Sequence, residues 1–208
     1  MSFPNKIPVA VLGATGTVGQ RFIALLAEHP WFRVQAVTAS ERSQGKTYRE
    51  AAAWIQSTEM PAEIAAMELL PTDPDEAEGC PLVFSALDAQ AADRLEAPFA
   101  EAGFLVVTNA KSHRMDEDVP LMVGEVNADH LDLLEAQRWR GGIVANPNCS
   151  TIGLVLAVKP LADAFGVRRL NVVSMQAISG AGLPGVSSYQ ILDNLIPFIS
   201  GEEDKLEK

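Results

Sequence analysis

Four stretches of this chain carry residue types at spacings that can do chemistry. The first holds a cysteine, Cys149, inside VANPNCSTIGLVLAVKPL (144–161). An apolar run ends there at Asn146-Pro147-Asn148, and a helical pattern, read over Ser150–Phe165, begins directly behind the thiol. A helix N-terminus favours thiolate over thiol, and the N–H groups of its first turn can hold an oxyanion. A cysteine so placed is either a small core residue or an activated nucleophile. The second stretch is GATGTVG, with Gly13, Gly16 and Gly19 separated by Ala14-Thr15 and Thr17-Val18. Glycines between a strand and a helix let backbone approach a phosphate at the helix N-terminus. The spacing is GxxGxxG rather than GxGxxG, so a tight turn without a ligand is the competing reading.

The third stretch is Ser40-Glu41-Arg42-Ser43, followed by Gly45-Lys46. It stands where nucleotide sites choose between a ribose hydroxyl and a 2′-phosphate. Two hydroxyls, a guanidinium and an ammonium suit the phosphate, hence NADP(H). Glu41 leaves the NAD alternative open. The fourth is NVVSMQAISGAGLPG, where Gln176 closes an apolar run ahead of Ser179 and Gly180. A strand-end amide can position substrate or water, and an ordinary loop fits the residues equally well. A nucleophilic cysteine with a nicotinamide cofactor points to aldehyde oxidation or acyl reduction through a thioester. Such chemistry needs an acid/base. Of the three histidines, His29 precedes Pro30 at the surface, His130 opens a helix and His113 lies in a loop near the other groups. None is well placed for that role.

The elements that must position these groups alternate. Val9, Val11 and Leu12 form a strand, and Val18, Phe22, Leu25 and Leu26 recur behind it at helical spacing until Pro30. RVQAVTAS, PLVFSAL (81–87) and FLVVTNA (104–110) read as further strands, with a helix closed by Gly103 between the last two. PLMVGEVN (120–127) and GGIVANPN (141–148) are two more, flanking a helix over ADHLDLLEAQRWRGG with Asp129 in its first turn and Gly141 past its end. Strands alternating with helices predict an α/β fold with a parallel, doubly wound Rossmann-type sheet. Its ligands sit at the carboxyl ends of the strands. Those ends gather Gly13–Gly19, Ser40–Ser43, Ser85–Asp88, Asn109–Arg114 and Asn148–Cys149 into one crevice, with Ser85 and Ala86 beside the cofactor.

Composition sets outer bounds. The 208 residues are 48% hydrophobic and 21% charged, enough apolar material for a full core. A net charge of −11 argues against nucleic acid as a partner, because phosphate backbones demand clustered Lys and Arg. Cys80 and Cys149 are far apart and without ligand spacing, so neither a disulfide framework nor a metal is expected, and Cys80 reads as incidental. The N-terminal MSFPNKIPVAVLG has no secretory pattern, and no run reaches the roughly 18 apolar residues that span a bilayer. A soluble, cytoplasmic protein without membrane partners is the expectation.

Taken in order, GATGTVG, ASERSQGK, FSALDA, TNAKSHRMDEDVPLMVGEVN, NPNCSTIGL, QAISGAGLPG and NLIPFISGEEDKLEK resemble aspartate-semialdehyde dehydrogenases of the archaeal and fungal-like branch. The resemblance covers the whole chain. It implies NADP(H) on Gly13, Ala14, Thr15, Gly16, Thr17, Val18 and Gly19, with Ser40, Arg42 and Ser43 around the 2′-phosphate. It implies Cys149 as nucleophile, Gln176 orienting the acyl group, and Ser179 and Gly180 near the nicotinamide. Asn109 and Arg114 would hold phosphate, with Asn148 beside them, and Glu202 and Lys205 would recognise substrate. The reaction implied is reversible reduction of L-4-aspartyl phosphate to L-aspartate 4-semialdehyde with release of phosphate, feeding lysine, threonine, methionine and isoleucine synthesis. Residues 1–148 would form the NADP-binding domain and 149–208 the first part of an α+β catalytic and dimerisation domain. The family continues beyond this length with the catalytic His, a carboxylate-gripping Arg and most of a dimer or tetramer interface. The 208-residue chain alone is therefore expected to bind NADP(H) and turn over weakly or not at all. A malonyl-CoA reductase-like enzyme, the more distant N-acetyl-glutamyl-phosphate reductases and a non-catalytic NADP-binding module are the competing functions.

Overall fold

The computed structural model describes residues 5–178 and 191–196. The chain divides into two units, Met1–Pro147 and Asn148–Lys208. In the first unit the order is β1 (Ile7–Leu12), α1 (Thr17–Leu26), β2 (Phe32–Val37), α2 (Tyr48–Ala51), α3 (Ala62–Ala65), a 3-10 turn (Pro74–Ala77), β3 (Leu82–Ser85), α4 (Ala89–Ala102), β4 (Leu105–Thr108), α5 (Gly124–Asn127), a 3-10 helix (Ala128–Ala136) and β5 (Gly142–Ala145). The five strands are all parallel and lie in the order β2-β1-β3-β4-β5. Chain direction across the sheet reverses between β1 and β3, the switch point outside which doubly wound sheets bind ligands.

Both faces of this sheet are covered, which explains the unbroken apolar runs of β1, β3, β4 and β5, while the edge strand β2 exposes Arg33 and Gln35. Val9 and Val11 pack with Ile23, Leu26, Val37 and Leu69 on one face. Ala10 and Leu12 pack with Val83, Phe99, Val106 and Ile143 on the other. Pairing in register brings Leu12, Ser85, Thr108 and Ala145 into one row at the carboxyl ends. Backbone hydrogen bonds extend the row one step further, from Ala86 N–H to Leu12 O, Asn109 N–H to Ser85 O and Asn146 N–H to Thr108 O.

Three expectations are corrected. The buried stripe of α1 is Gly19, Ile23 and Leu26, whereas Val18 and Leu25 are exposed. The cause is Gly19: a Cβ there would stand 2.3 Å from Gly13 O, so this residue sets the phase of the helix against the turn. PLMVGEVN is not a strand, since only Leu121 bridges to Ala145 before α5 begins at Gly124. Pro120 contributes a carbonyl to Ala145 N–H but has no N–H of its own to extend the ladder. The segment 128–136 is a 3-10 helix that stops well before Gly141. There the buried amide of Gln137 takes over, accepting from Ile143 N–H and donating to Ile143 O and Asp118 O.

In the second unit α6 spans Cys149–Phe165, one residue earlier than the pattern suggested. The apolar run before Ile178 forms no strand among the described residues, and Val173 and Met175 stand almost fully exposed. No described strand pairs with it, and a strand needs a pairing edge. No described helix is long and apolar enough to cross a membrane.

Candidate active site

The glycine turn is held from behind. Gly13 takes a left-handed φ of 67°, and a Cβ on it would lie 2.9 Å from Ala86 O, so the turn presses onto the end of β3 across the switch point. Buried Tyr48 donates its hydroxyl to Ala14 O at 2.9 Å, and burial pushes that phenol well above its ordinary range, keeping it a donor. Gln20, 1% exposed, donates its amide to Thr15 O and Ala53 O and accepts from Ile55 N–H. With those carbonyls satisfied inward, α1 starts at Gly16, which offers no side-chain cap. Its first-turn amides, at Thr17, Val18 and Gly19, have no intrahelical acceptor, which suits an anion.

Ser40, Glu41 and Arg42 are exposed on the turn that follows β2. The turn is shaped by Ser43 N–H to Ser40 O and by Gly45, at φ 74°, donating to Leu69 O. Arg42 makes no ion pair or hydrogen bond among the described residues. Ser85 stands differently from expectation. It is completely buried, and its hydroxyl donates to Glu96, so only the neighbouring backbone at Ala86 reaches the glycine turn.

A third cluster sits where β4 and β5 end. Arg114 donates Nε to Asn146 O at 2.8 Å and Nη2 to Asn109 O at 2.9 Å. Asn146 Nδ2 meets Asn109 Oδ1 at 2.6 Å. The guanidinium therefore ties two strand ends together, and Asn146, absent from the sequence-derived set, orients Asn109. In the second unit, Asn148 caps α6 by accepting Thr151 N–H at 2.8 Å, and Cys149 is the first helical residue, exposed. Gln176 donates to Ser150 Oγ at 3.4 Å, which brings it to the first turn of the same helix. Chain continuity alone places Cys149 four residues after Ala145, the last residue of β5. Ser179, Gly180, Glu202 and Lys205 lie outside the described residues.

The remaining ionisable candidates are committed locally. His29 Nδ1 accepts from Trp31 and Phe32 N–H, His130 pairs with Asn127, and His113 lies between Asp116 and Glu96. Cys80 is buried in the core, where loss of solvent pushes its thiol up and Arg33 opposes only in part. Glu96, Gln20 and Gln137 were missed because a polar residue inside an amphipathic pattern reads as outward-facing. The usable signal for Glu96 was its spacing with Ala92, Phe99 and Ala100 on one stripe of α4.

The strand order, the reversal between β1 and β3 and the uncapped glycine turn define a doubly wound dinucleotide-binding domain. Residues 8–134 match the family model of the semialdehyde dehydrogenase NAD binding domain, and residues 158–208 match that of the semialdehyde dehydrogenase dimerisation domain. The chain belongs to the aspartate-semialdehyde dehydrogenase family. It is 55% identical to the Archaeoglobus fulgidus enzyme of that name over 207 residues, covering 98% of this chain and 60% of that protein. Against the Schizosaccharomyces pombe enzyme the identity is 53% over 205 residues, 96% of this chain and 57% of the relative. The crystal structure of the Candida albicans enzyme with NADP superposes with a TM-score of 0.85 at 43% identity, covering 97% of this chain and 58% of that one. The chain thus spans about three-fifths of the length of the curated relatives it matches.

Proposed function

We propose that this chain is the cofactor-binding and nucleophile-bearing portion of an NADP-dependent, phosphorylating aspartate-semialdehyde dehydrogenase. The observation that carries it is Cys149, exposed at the first residue of α6 behind the Asn148 cap, in a chain about half identical to enzymes of that name over nearly its whole length. The residues fit the cofactor. A Cβ would fill the space that Gly13 leaves against Ala86, the start of α1 is uncapped, and Arg42 is exposed at the end of the second strand. The Gly13–Gly19 turn would hold the pyrophosphate, and Ser40, Arg42 and Ser43 the 2′-phosphate.

The Cys149 thiolate attacks the acyl carbon of L-4-aspartyl phosphate, and the carbon–oxygen bond to phosphate breaks, leaving a thioester. NADPH, held on the Gly13–Gly19 turn, would supply the hydride for reduction of this thioester. The resulting thiohemiacetal collapses to the aldehyde, and the sulfur leaves as thiolate. First-turn amides of α6 stabilise the oxyanion that forms each time sulfur adds or departs. Gln176 orients the acyl group, and Asn109, Arg114 and Asn148 hold the phosphate. None of His29, His113 and His130 is assigned the acid/base role, since each is engaged locally. Run in reverse, the enzyme oxidises aspartate semialdehyde only when inorganic phosphate is present.

That dependence is the test. In the intact protein, NADPH formation from aspartate semialdehyde should require phosphate, and Cys149→Ser should lower kcat by at least roughly a thousandfold. NADP binding should survive the substitution. Oxidation that proceeds with coenzyme A and ignores phosphate would move the chain to the malonyl-CoA reductase-like reading.

A further inference from the structure

Glu96 lies on the inner stripe of α4 and is fully enclosed. Its Oε1 accepts from Ser85 Oγ at 2.5 Å and from Thr108 Oγ1 at 2.6 Å. Among the described residues its Oε2 has no hydrogen-bond partner, and neither does the buried Nε2 of His113, which faces it at 3.6 Å. The other ring nitrogen, Nδ1, stands 2.8 Å from Oδ2 of Asp116, whose side chain is 46% exposed. A solvated carboxylate accepts, so Nδ1 carries a hydrogen, and in a neutral ring Nε2 would then be a bare lone pair. Two buried acceptors would face each other with nothing between them, an arrangement proteins avoid. One proton between them removes the conflict, and because two hydroxyls already donate to Oε1, which favours the ionised carboxylate, that proton belongs on the ring, giving an ion pair flanked by a hydrogen bond. The groups facing the ring are Glu96 from α4, Asp116 from its own loop and, ahead of β5, the uncharged edge of Trp139 at 6.4 Å.

We propose that Glu96 and His113 form a buried ion pair that fixes the segment 109–114, making both of them positioning residues for Asn109 and Arg114. The inference rests on the anion-holding role proposed for those two residues. One carboxylate grips the segment at both ends. Thr108, immediately before Asn109, donates a hydrogen bond from its hydroxyl to Glu96 and accepts one from Ala110 N–H at 3.0 Å. His113, immediately before Arg114, supplies the other end. Between them Arg114 donates to Asn109 O and Asn146 O, so its guanidinium rests on the strand ends that this carboxylate braces.

The test combines a spectroscopic signature with a kinetic one, both in the intact protein. Glu96→Gln keeps an acceptor for Ser85 and Thr108 and offers an amide N–H to a neutral ring. At neutral pH, 15N spectra should show both His113 nitrogens protonated in the native protein and Nε2 unprotonated in E96Q. In the oxidative direction E96Q should raise KM for inorganic phosphate roughly tenfold and leave KM for NADP within about twofold. A neutral His113 in the native protein, or identical ring signals in both, overturns the ion pair whatever the activity. An unchanged phosphate KM alongside the expected spectra overturns the positioning role. If the protein shows no phosphate-dependent activity, the proposed function fails, while the spectra still decide the pair. Should E96Q not fold, His113→Phe removes the ring charge, leaves Glu96 its two hydroxyl donors and must raise the same KM.

Discussion

The two cysteines differ in everything that governs reactivity. Cys149 is exposed at the start of a helix, whereas Cys80 is 2% exposed and its thiol is pushed up by burial. A raised value means that Cys80 stays a thiol at alkaline pH where an ordinary cysteine has ionised, and the thiolate is the form that alkylates. Native protein at neutral pH should therefore take up one equivalent of iodoacetamide quickly, and peptide mapping should find it on Cys149. Cys80 should react only after denaturation. Rapid double labelling of the folded chain would contradict this assignment. Buried polar residues tell a related story. Glu96, Gln20 and Gln137 each sit in the interior and each satisfies strand ends, turn carbonyls or a ladder gap. Their partners lie 5–35 residues away in sequence, and no local pattern announces them.

At the scale of elements, the glycine turn and α1 stand or fall together. Gly19→Ala would put a Cβ 2.3 Å from Gly13 O and 2.7 Å from Ala14 backbone, where nothing flexible can yield. Overpacking of this kind costs about 1–3 kcal/mol, and the helix start must shift away from the turn. The expected result is a lowered denaturation midpoint together with weakened NADP binding, read by calorimetric titration. Unchanged affinity would mean that the helix start does not hold the cofactor. All five strands were legible: four are continuous apolar runs, as strands covered on both faces by helices must be, and the edge strand β2 alternates, with Arg33 and Gln35 exposed. The sixth was not a strand because Pro120 and Gly124 leave too few donors between them. The phase of α1 was misjudged for a related reason. Hydrophobic spacing counted Val18 and Leu25, yet a residue with no side chain decided which way the helix faces. Of the proposed site, the positions of the glycines between β1 and α1, of Arg42 after β2 and of Cys149 at the start of α6 were legible from residue type beside a predicted turn. The engagement of Ser85 with Glu96 was not, since it depends on a helix crossing behind two strands.

At the scale of the whole molecule, apolar exposure among the described residues concentrates in the second unit. Phe165 is 85% exposed, Val173 91%, Met175 88% and Leu195 81%. Apolar exposure on this scale marks an association site, and the match of residues 158–208 to a dimerisation domain agrees with that reading. The 208-residue chain should bind a hydrophobic dye and sediment as concentration-dependent oligomers despite its net charge of −11. A monodisperse monomer indifferent to the dye would count against it. The row formed by Leu12, Ser85, Thr108 and Ala145 bears on how such a protein can vary in length. Deleting one residue inside any of these strands would draw the following loop back by about 3.3 Å and turn its next side chain to the opposite face. Insertions on the amino side of the same strands, as in the turn 73–81 before β3, leave the row intact. Tolerance to insertion and deletion should thus be polar along every strand, permissive where it begins and close to nil where it ends.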